Sequence, residues 1–236
     1  MIAFLVLGLS VGFLLPSQLR LEGHSARSIA ILEPGTYPAG AVRVEDGELW
    51  LGLFDKGDGF ELAGVQVSVE TVEEPGRSSG ERSGLKVEVI GRDRPVLLVR
   101  DPSGLLEEGS VSTLFHGWRL LATGEAVLFS LDLEEYRLVV AQQTWLRGGN
   151  AEEFVAMILE TEERQQLLYS IPARDVRREE LTWSLLWAGD LDHDNRLDFY
   201  VNVGDRGVSE RHLFLSSLAA PRTLVGQAGI FRAPGS

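Results

Sequence analysis

The chain of 236 residues contains no cysteine. That excludes disulfides and thiolate metal sites, but it leaves the compartment open, since proteins of oxidising compartments also fold without cysteine. Basic tracts are missing too: Lys and Arg number 22 against 35 Asp and Glu, for a net charge of -13. A polyanion would be repelled, so nucleic acid is not an expected partner. No apolar run reaches the roughly 20 residues that a membrane helix needs. The longest, in "MIAFLVLGLSVGFLLPSQLRLEG", holds about fifteen apolar or small residues and stops at Pro16.

That length suits the apolar stretch of a signal peptide, and residues 1–23 are expected to be a signal peptide or an N-terminal hydrophobic anchor. The predicted location is periplasmic or secreted, or anchored by an uncleaved N-terminal segment, with no membrane span beyond it. No Lys or Arg precedes the apolar run, and the candidate cleavage sites Ser10-Val11-Gly12 and Gly23-His24-Ser25 are imperfect. An upstream start codon or an uncleaved anchor would account for both departures. The competing reading is a buried N-terminal strand or helix.

Two familiar catalytic patterns are absent as well: there is no H-E-x-x-H and no phosphate-binding glycine loop. No internal repeat is visible.

What is present is alternation of period two. Val65, Val67 and Val69 alternate with Gln66, Ser68 and Glu70, and Leu85, Val87 and Val89 with Lys86 and Glu88. Such spacing puts apolar and polar side chains on opposite faces of a strand. "GELWLGLF" and "GFELAGVQV" flank the turn-rich "DKGDG" as a hairpin, and "EAVLFSL" and "YRLVVAQQ" flank "DLEE" as a second. "RPVLLVRDP" reads as a short buried strand closed by Asp101-Pro102. Residues 150–171 admit two readings, a helix capped by Asn150 and Glu153 or two strands around "TEER"; the neighbouring strands favour the hairpin. The predicted fold is all-β and mainly antiparallel, a sandwich or barrel-like single domain over 24–236 with one short helix at most. The polar stretch 72–84 is expected to be a mobile loop within it.

One segment concentrates charge. In "AGDLDHDNRLDFYV", residues 188–201, carboxylates stand at positions one, three, five and nine of a loop 190–198: Asp190, Asp192, Asp194 and Asp198. Five of the chain's twelve aspartates lie between 190 and 205. Like charges this close repel unless a cation lies among them. Calcium takes six to eight hard oxygen ligands in loose geometry, which alternating aspartates on a tight turn supply. Arg196, at position seven, is expected to contribute its backbone carbonyl and to turn its side chain to solvent. Asn195, at position six, is expected in the left-handed conformation. Leu191 and Leu197 would fasten the loop to the core, with Trp187 beneath it and His193 projecting outward. The alternative is a solvated acidic turn.

The loop is not an EF-hand, because position twelve is Val201 rather than Glu and a strand-like run follows. "GDLDHDNRLDFYV" instead resembles the D-x-D-x-D-G-x-x-D calcium turn of FG-GAP or VCBS repeats, through Gly189, Asp190, Asp192, Asp194 and Asp198, with Asn195 in place of the glycine. The resemblance implies a calcium ion held by those aspartates and the Arg196 carbonyl. It covers about fifteen residues in a single copy, so a full propeller is not implied. "LLWAGDLDHDNRLDFYV…LFLSS" also resembles the C-terminal part of exported bacterial proteins.

Other acidic and histidine positions are weaker candidates. Asp205 and Glu210 are possible extra ligands, His116 and His212 possible catalytic groups, and Asp55, Asp58 and Glu61 a possible second ion site. Five tryptophans, Trp50, Trp118, Trp145, Trp183 and Trp187, either fill a β core or form an exposed sugar-binding face. The leading expectation is an exported, non-enzymatic β domain with one structural calcium ion. The second is a calcium-dependent module binding a carbohydrate or cell-surface protein, and the third an enzyme with a pocket near His116 or His212.

Overall fold

Every stretch of period-two alternation becomes a strand. The computed structural model describes residues 29–73, 83–147, 150–175, 183–205 and 208–233. The hydrophobic segment 1–23 and residues 74–82 of the polar stretch 72–84 lie outside the described residues.

β1 (Ala30–Leu32) and β2 (Gly35–Pro38) are short. β3 (Leu49–Asp55) and β4 (Phe60–Glu73) form a hairpin across "DKGDG", and β5 (Ser83–Val89) returns along the far half of β4. The strands reach further into 72–84 than expected: Val72 pairs with Gly84 and Glu73 with Ser83. β6 (Leu97–Arg100) is short, with Leu97, Leu98 and Val99 fully buried, as a strand covered on both faces must be. β7 (Gly109–Leu120) is followed by β8 (Ala126–Leu131) and β9 (Glu134–Arg147), a hairpin whose turn is Asp132–Leu133 alone, both with positive φ. Glu134 and Glu135 of the expected "DLEE" turn belong to the strand.

β10 (Asn150–Glu160) and β11 (Gln165–Pro172) pair across "TEER", so the hairpin reading of 150–171 holds over the helical one. The alternating pattern won because Val155, Met157 and Leu159 bury one face of β10 in a core while cross-strand bonds satisfy its backbone. β12 (Ser184–Asp190), β13 (Asp198–Asp205), β14 (Val208–Leu215) and β15 (Gly226–Ala233) complete the fold. In place of the one short helix allowed for, the described residues contain two single 3₁₀ turns, Ala173–Asp175 and Ser216–Leu218.

All the strand pairs are antiparallel. An 11-stranded sheet runs β1-β6-β3-β4-β7-β12-β13-β14-β15, with β5 on β4 and β2 on β5. Its two ends meet: a Cβ on Gly229 of β15 would run into the Ile29 carbonyl beside β1, so the sheet is a nearly closed barrel. The second sheet, β11-β10-β9-β8, has 4 strands. It is not a propeller.

β12, β13 and β14 are shared between two cores. On β13, Tyr200 joins the larger core with Leu53, Leu98, Leu186 and Leu213. Phe199, Val201 and Val203 face the other way and pack with Val140, Val155, Met157 and Leu159 of the four-stranded sheet. A strand that serves two cores is apolar on both faces, which is why "LLWAG" and "FYV" read as unbroken apolar runs. The aspartate loop joins β12 to β13.

Candidate metal centre

The loop is pinned at both shoulders. Leu191 and Leu197 are fully buried, the first in the larger core and the second in the smaller. Trp187 lies beneath and donates through its indole Nε1 to Thr113 Oγ1 at 3.1 Å. A Cβ on Gly189 would run into the Ser112 carbonyl and the Trp187 ring, so only glycine allows β12 to lie this close to β7. Between the shoulders the chain turns tightly through His193 (φ 60) and Asn195 (φ 59), the second as position six was expected to do. His193 is exposed, with Nε2 2.9 Å from the Ser110 carbonyl on β7.

That turn folds the carboxylates inward. Asp190, Asp192 and Asp194 each place an oxygen within 4.8 Å of the others, a group that could hold a metal ion. Asp190 is buried; its Oδ1 accepts from the Asp194 amide at 3.0 Å and its Oδ2 from the Asn195 amide at 3.1 Å. Asp194 Oδ1 accepts from the Arg196 amide at 2.9 Å and Ser216 Oγ at 2.7 Å. Asp192 is served least. Its Oδ2 accepts from Ser217 Oγ, and its Oδ1 is buried with no hydrogen-bond partner. Burial first, offset in part by Ser217, then the charges of Asp194 and Asp190, raises the Asp192 carboxyl above its ordinary range.

Two expected members make further contacts. Asp198, expected as a ligand at position nine, stands outside the group of three. Its Oδ2 accepts from the Leu191 amide at 2.7 Å and the Asp192 amide at 3.3 Å. Its Oδ1 accepts from the Ser216 amide at 2.7 Å and Ser216 Oγ at 2.9 Å. Both oxygens therefore clasp backbone from opposite ends of the loop. Complete burial, with the Asp192 charge next, pushes this carboxyl well above the usual range. The Arg196 side chain is exposed, as expected, and also pairs with Asp194. It donates to Asp194 Oδ2 from Nε at 2.9 Å and from Nη2 at 2.5 Å, because a charged neighbour two residues away is a better partner than water for a fork of donors.

The serines at the end of β14 escaped sequence reasoning. Ser216 and Ser217 lie 18 to 25 positions from the aspartates they hold. No local spacing announces them; only the β13–β14 pairing, which sets Phe199 opposite Phe214, brings them across.

The remaining candidates scatter. Asp205 pairs with Val208 at the far end of β13, about 23 Å along the strand from Asp198 at 3.3 Å per residue. Glu210 bonds Arg232 Nε at 2.7 Å and lies 3.4 Å from His212 Nε2. Neither approaches the loop. His212 is buried against Tyr169 and Phe214, with Nδ1 2.9 Å from Gln227 Nε2, and burial lowers its pKa. His116 lies 3.6 Å from Asp55 and edge-on to Phe60. Asp55, Asp58 and Glu61 do not converge: Glu61 pairs with Lys56 and Arg92, and Asp55 caps the Gly57 amide at 2.7 Å. Of the five tryptophans, Trp50, Trp183 and Trp187 are core residues and Trp145 stacks on Phe154. Trp118 alone is exposed, so the tryptophan platform of a sugar-binding face is not formed.

No family model matches the chain, and no curated protein or solved structure matches it.

Proposed function

We propose that the chain is an exported, non-enzymatic β domain whose loop 190–198 holds one structural calcium ion in the manner of an FG-GAP or VCBS turn. The observation that carries this reading is Asp192 Oδ1, a buried carboxylate oxygen without a partner inside a group of three carboxylates. An unpaired buried acceptor is costly, and a cation satisfies it together with the charge around it. The donor set is all hard oxygen, with neither imidazole nor thiolate, which favours calcium over zinc or copper.

Asp190, Asp192 and Asp194 would hold the ion, with the Arg196 carbonyl as a further ligand. When bound, the ion supplies charge neutralisation and no reaction chemistry. The chain's own residues do the rest: Asp198 and Ser216 close the loop, Leu191 and Leu197 anchor it to both cores, and the ion so becomes part of folding stability. The apolar N-terminal stretch supports export, and calcium outside the cell is plentiful enough to fill a weak site.

The test is thermal unfolding of the protein in excess calcium and in chelator, beside Asp192→Ala. At 100-fold saturation, linkage gives about 2.7 kcal/mol. For a chain of this size that raises the melting midpoint by roughly 5–11 °C. The rise should vanish in Asp192→Ala. Equal midpoints in calcium and chelator would overturn the reading.

A further inference from the structure

The larger core contains a polar patch. Glu33, between β1 and β2, turns Oε1 inward, where it accepts from the Tyr200 hydroxyl at 2.8 Å and from Arg211 Nε at 2.9 Å. Arg211 Nη1 donates to Ser209 Oγ at 2.8 Å and to Asn202 Oδ1, and the guanidinium lies 5.2 Å from the centre of the Trp118 ring. The Tyr37 hydroxyl donates to the Glu33 carbonyl. Burial first and the Glu33 charge second hold the Tyr200 phenol well above its usual range, so it serves as a donor. Desolvating an ion pair brings little net stability over apolar packing, so stability alone gives no reason to build such a network into a barrel interior.

Beside the network lies a cavity of about 260 Å³, lined by Glu33, Arg94, His116, Trp118, Tyr200 and Arg211. Pro95, Val96 and Leu186 make its apolar wall. On a chain of net charge -13, two guanidinium groups and an imidazole share this cavity with a single carboxylate, and Arg211 already neutralises that one.

Both arginines have donors to spare. Arg94 Nη2 is tied to the Pro34 carbonyl at 2.6 Å, and among the described residues its Nε and Nη1 have no hydrogen-bond acceptor. Arg211 is tied through Nε and Nη1, and its Nη2 likewise has none. Guanidinium forks match a carboxylate, and Arg211, tied by three bonds, has little ordering entropy left to lose on binding. The exposed face of Trp118 and the Pro95–Val96 wall favour a ligand with a carbon body over a bare inorganic ion.

We propose that this cavity binds a small organic carboxylate, its oxygens taken by Arg94 and Arg211 and its apolar body by Trp118, Pro95 and Val96. The site is separate from the aspartate loop, and the inference stands whether or not that loop holds calcium.

Calorimetric titration of the full chain in saturating calcium, with sodium benzoate and separately with inorganic phosphate, tests it. Benzoate should bind saturably at a single site. Arg94→Ala should weaken it at least about tenfold, the loss of a fork to a carboxylate. The melting midpoint should not move in that variant, because Arg94 is exposed and its one bond is to the Pro34 carbonyl. Trp118→Leu should weaken benzoate as well. Benzoate affinity that Arg94→Ala leaves unchanged would overturn the proposal, as would phosphate binding in place of benzoate. So would no saturation by about 10 mM, tenfold above a millimolar dissociation constant.

Discussion

Two acidic turns face each other in the sequence as near equals. "DKGDGFE" carries Asp55, Asp58 and Glu61 in seven residues, and "DLDHDNRLD" carries Asp190, Asp192, Asp194 and Asp198 in nine. The structure separates them by what lies beneath. Residues 55–59 form the exposed end of the β3–β4 hairpin, and each charge in and beside it turns to whatever is near: Asp55 to the Gly57 amide and His116, Glu61 to Lys56 and Arg92. The second turn is sunk between two cores, and its aspartates accept backbone amides from Leu191, Asp192, Asp194, Asn195 and Ser216. Acidity on a surface turn is solvated and means little. Acidity held by amides inside a fold is part of its structure.

Substitution at the buried end of the second turn should widen the contrast most. Asp198→Ala removes a fully buried carboxylate that holds two amides of the loop and both donors of Ser216. Leaving those donors unsatisfied should cost about 3–5 kcal/mol in urea unfolding. Asp58→Ala in the other turn should change stability by less than about 0.5 kcal/mol. Equal small losses would mean that burial is not what distinguishes the two.

Acidity of the medium sharpens the same contrast. In chelator, burial raises the Asp192 and Asp198 carboxyls above the unfolded-chain value near 3.9. The folded state then binds protons more tightly than the unfolded, so these two groups make stability fall as pH rises from about 4 through their folded-state values. Calcium should oppose that fall by holding the carboxylates ionised. Unfolding followed from pH 4 to 7, with Asp192→Asn as the reference, should show a steeper loss in wild-type protein in chelator than in calcium. Parallel curves would contradict it.

Much of this was legible in the chain and some was not, for reasons that follow interaction range. Strands announce themselves locally: Val65 and Val67 are buried and Gln66 is exposed as their spacing requires, and Asn195 takes the left-handed backbone that its place in the loop demands. The number of sheets is not local. "LLWAG" and "FYV" signal only burial on both faces, and nothing in their letters says that one face meets a barrel interior and the other a separate sheet. For the same reason Asp198 reads as a ligand by spacing, while its role as a clasp depends on Ser216, which arrives from another strand. The Glu33–Tyr200–Arg211 network, spanning 167 to 178 positions, left no trace in the sequence at all.

A smaller effect is expected at Arg196. Its guanidinium sits on Asp194, at roughly half exposure, and supplies positive charge to the loop. Arg196→Gln removes that charge. The variant should be less stable in chelator by about 0.3–1 kcal/mol, the worth of a well-formed but solvent-screened pair. It should bind calcium a few times more tightly, since about 1.4 kcal/mol is a factor of ten. Weaker calcium binding in the variant would show instead that Arg196 orients Asp194 for the ion.

The smallest effect concerns the left-handed position of the loop. Asn195 sits at φ 59, where an L residue carries a steric cost that asparagine reduces and glycine removes. Replacing Asn195 with Gly relieves that cost in the folded loop and gives the unfolded chain more freedom to lose, two terms of about 0.5–1 kcal/mol and opposite sign. Stability in chelator should therefore change by less than about 0.5 kcal/mol, and calcium affinity should rise slightly if the remaining strain eases as the aspartates close on the ion. Asn195→Ala, which keeps the cost without asparagine's tolerance, should lose about 1 kcal/mol. Gly57, at φ 84 in the exposed turn, makes the companion experiment: Gly57→Ala should cost a similar amount there but leave calcium binding unchanged. If the two alanine variants shifted calcium affinity equally, the ion would not be sensing the backbone of loop 190–198, and the difference between the two turns would lie in side chains alone.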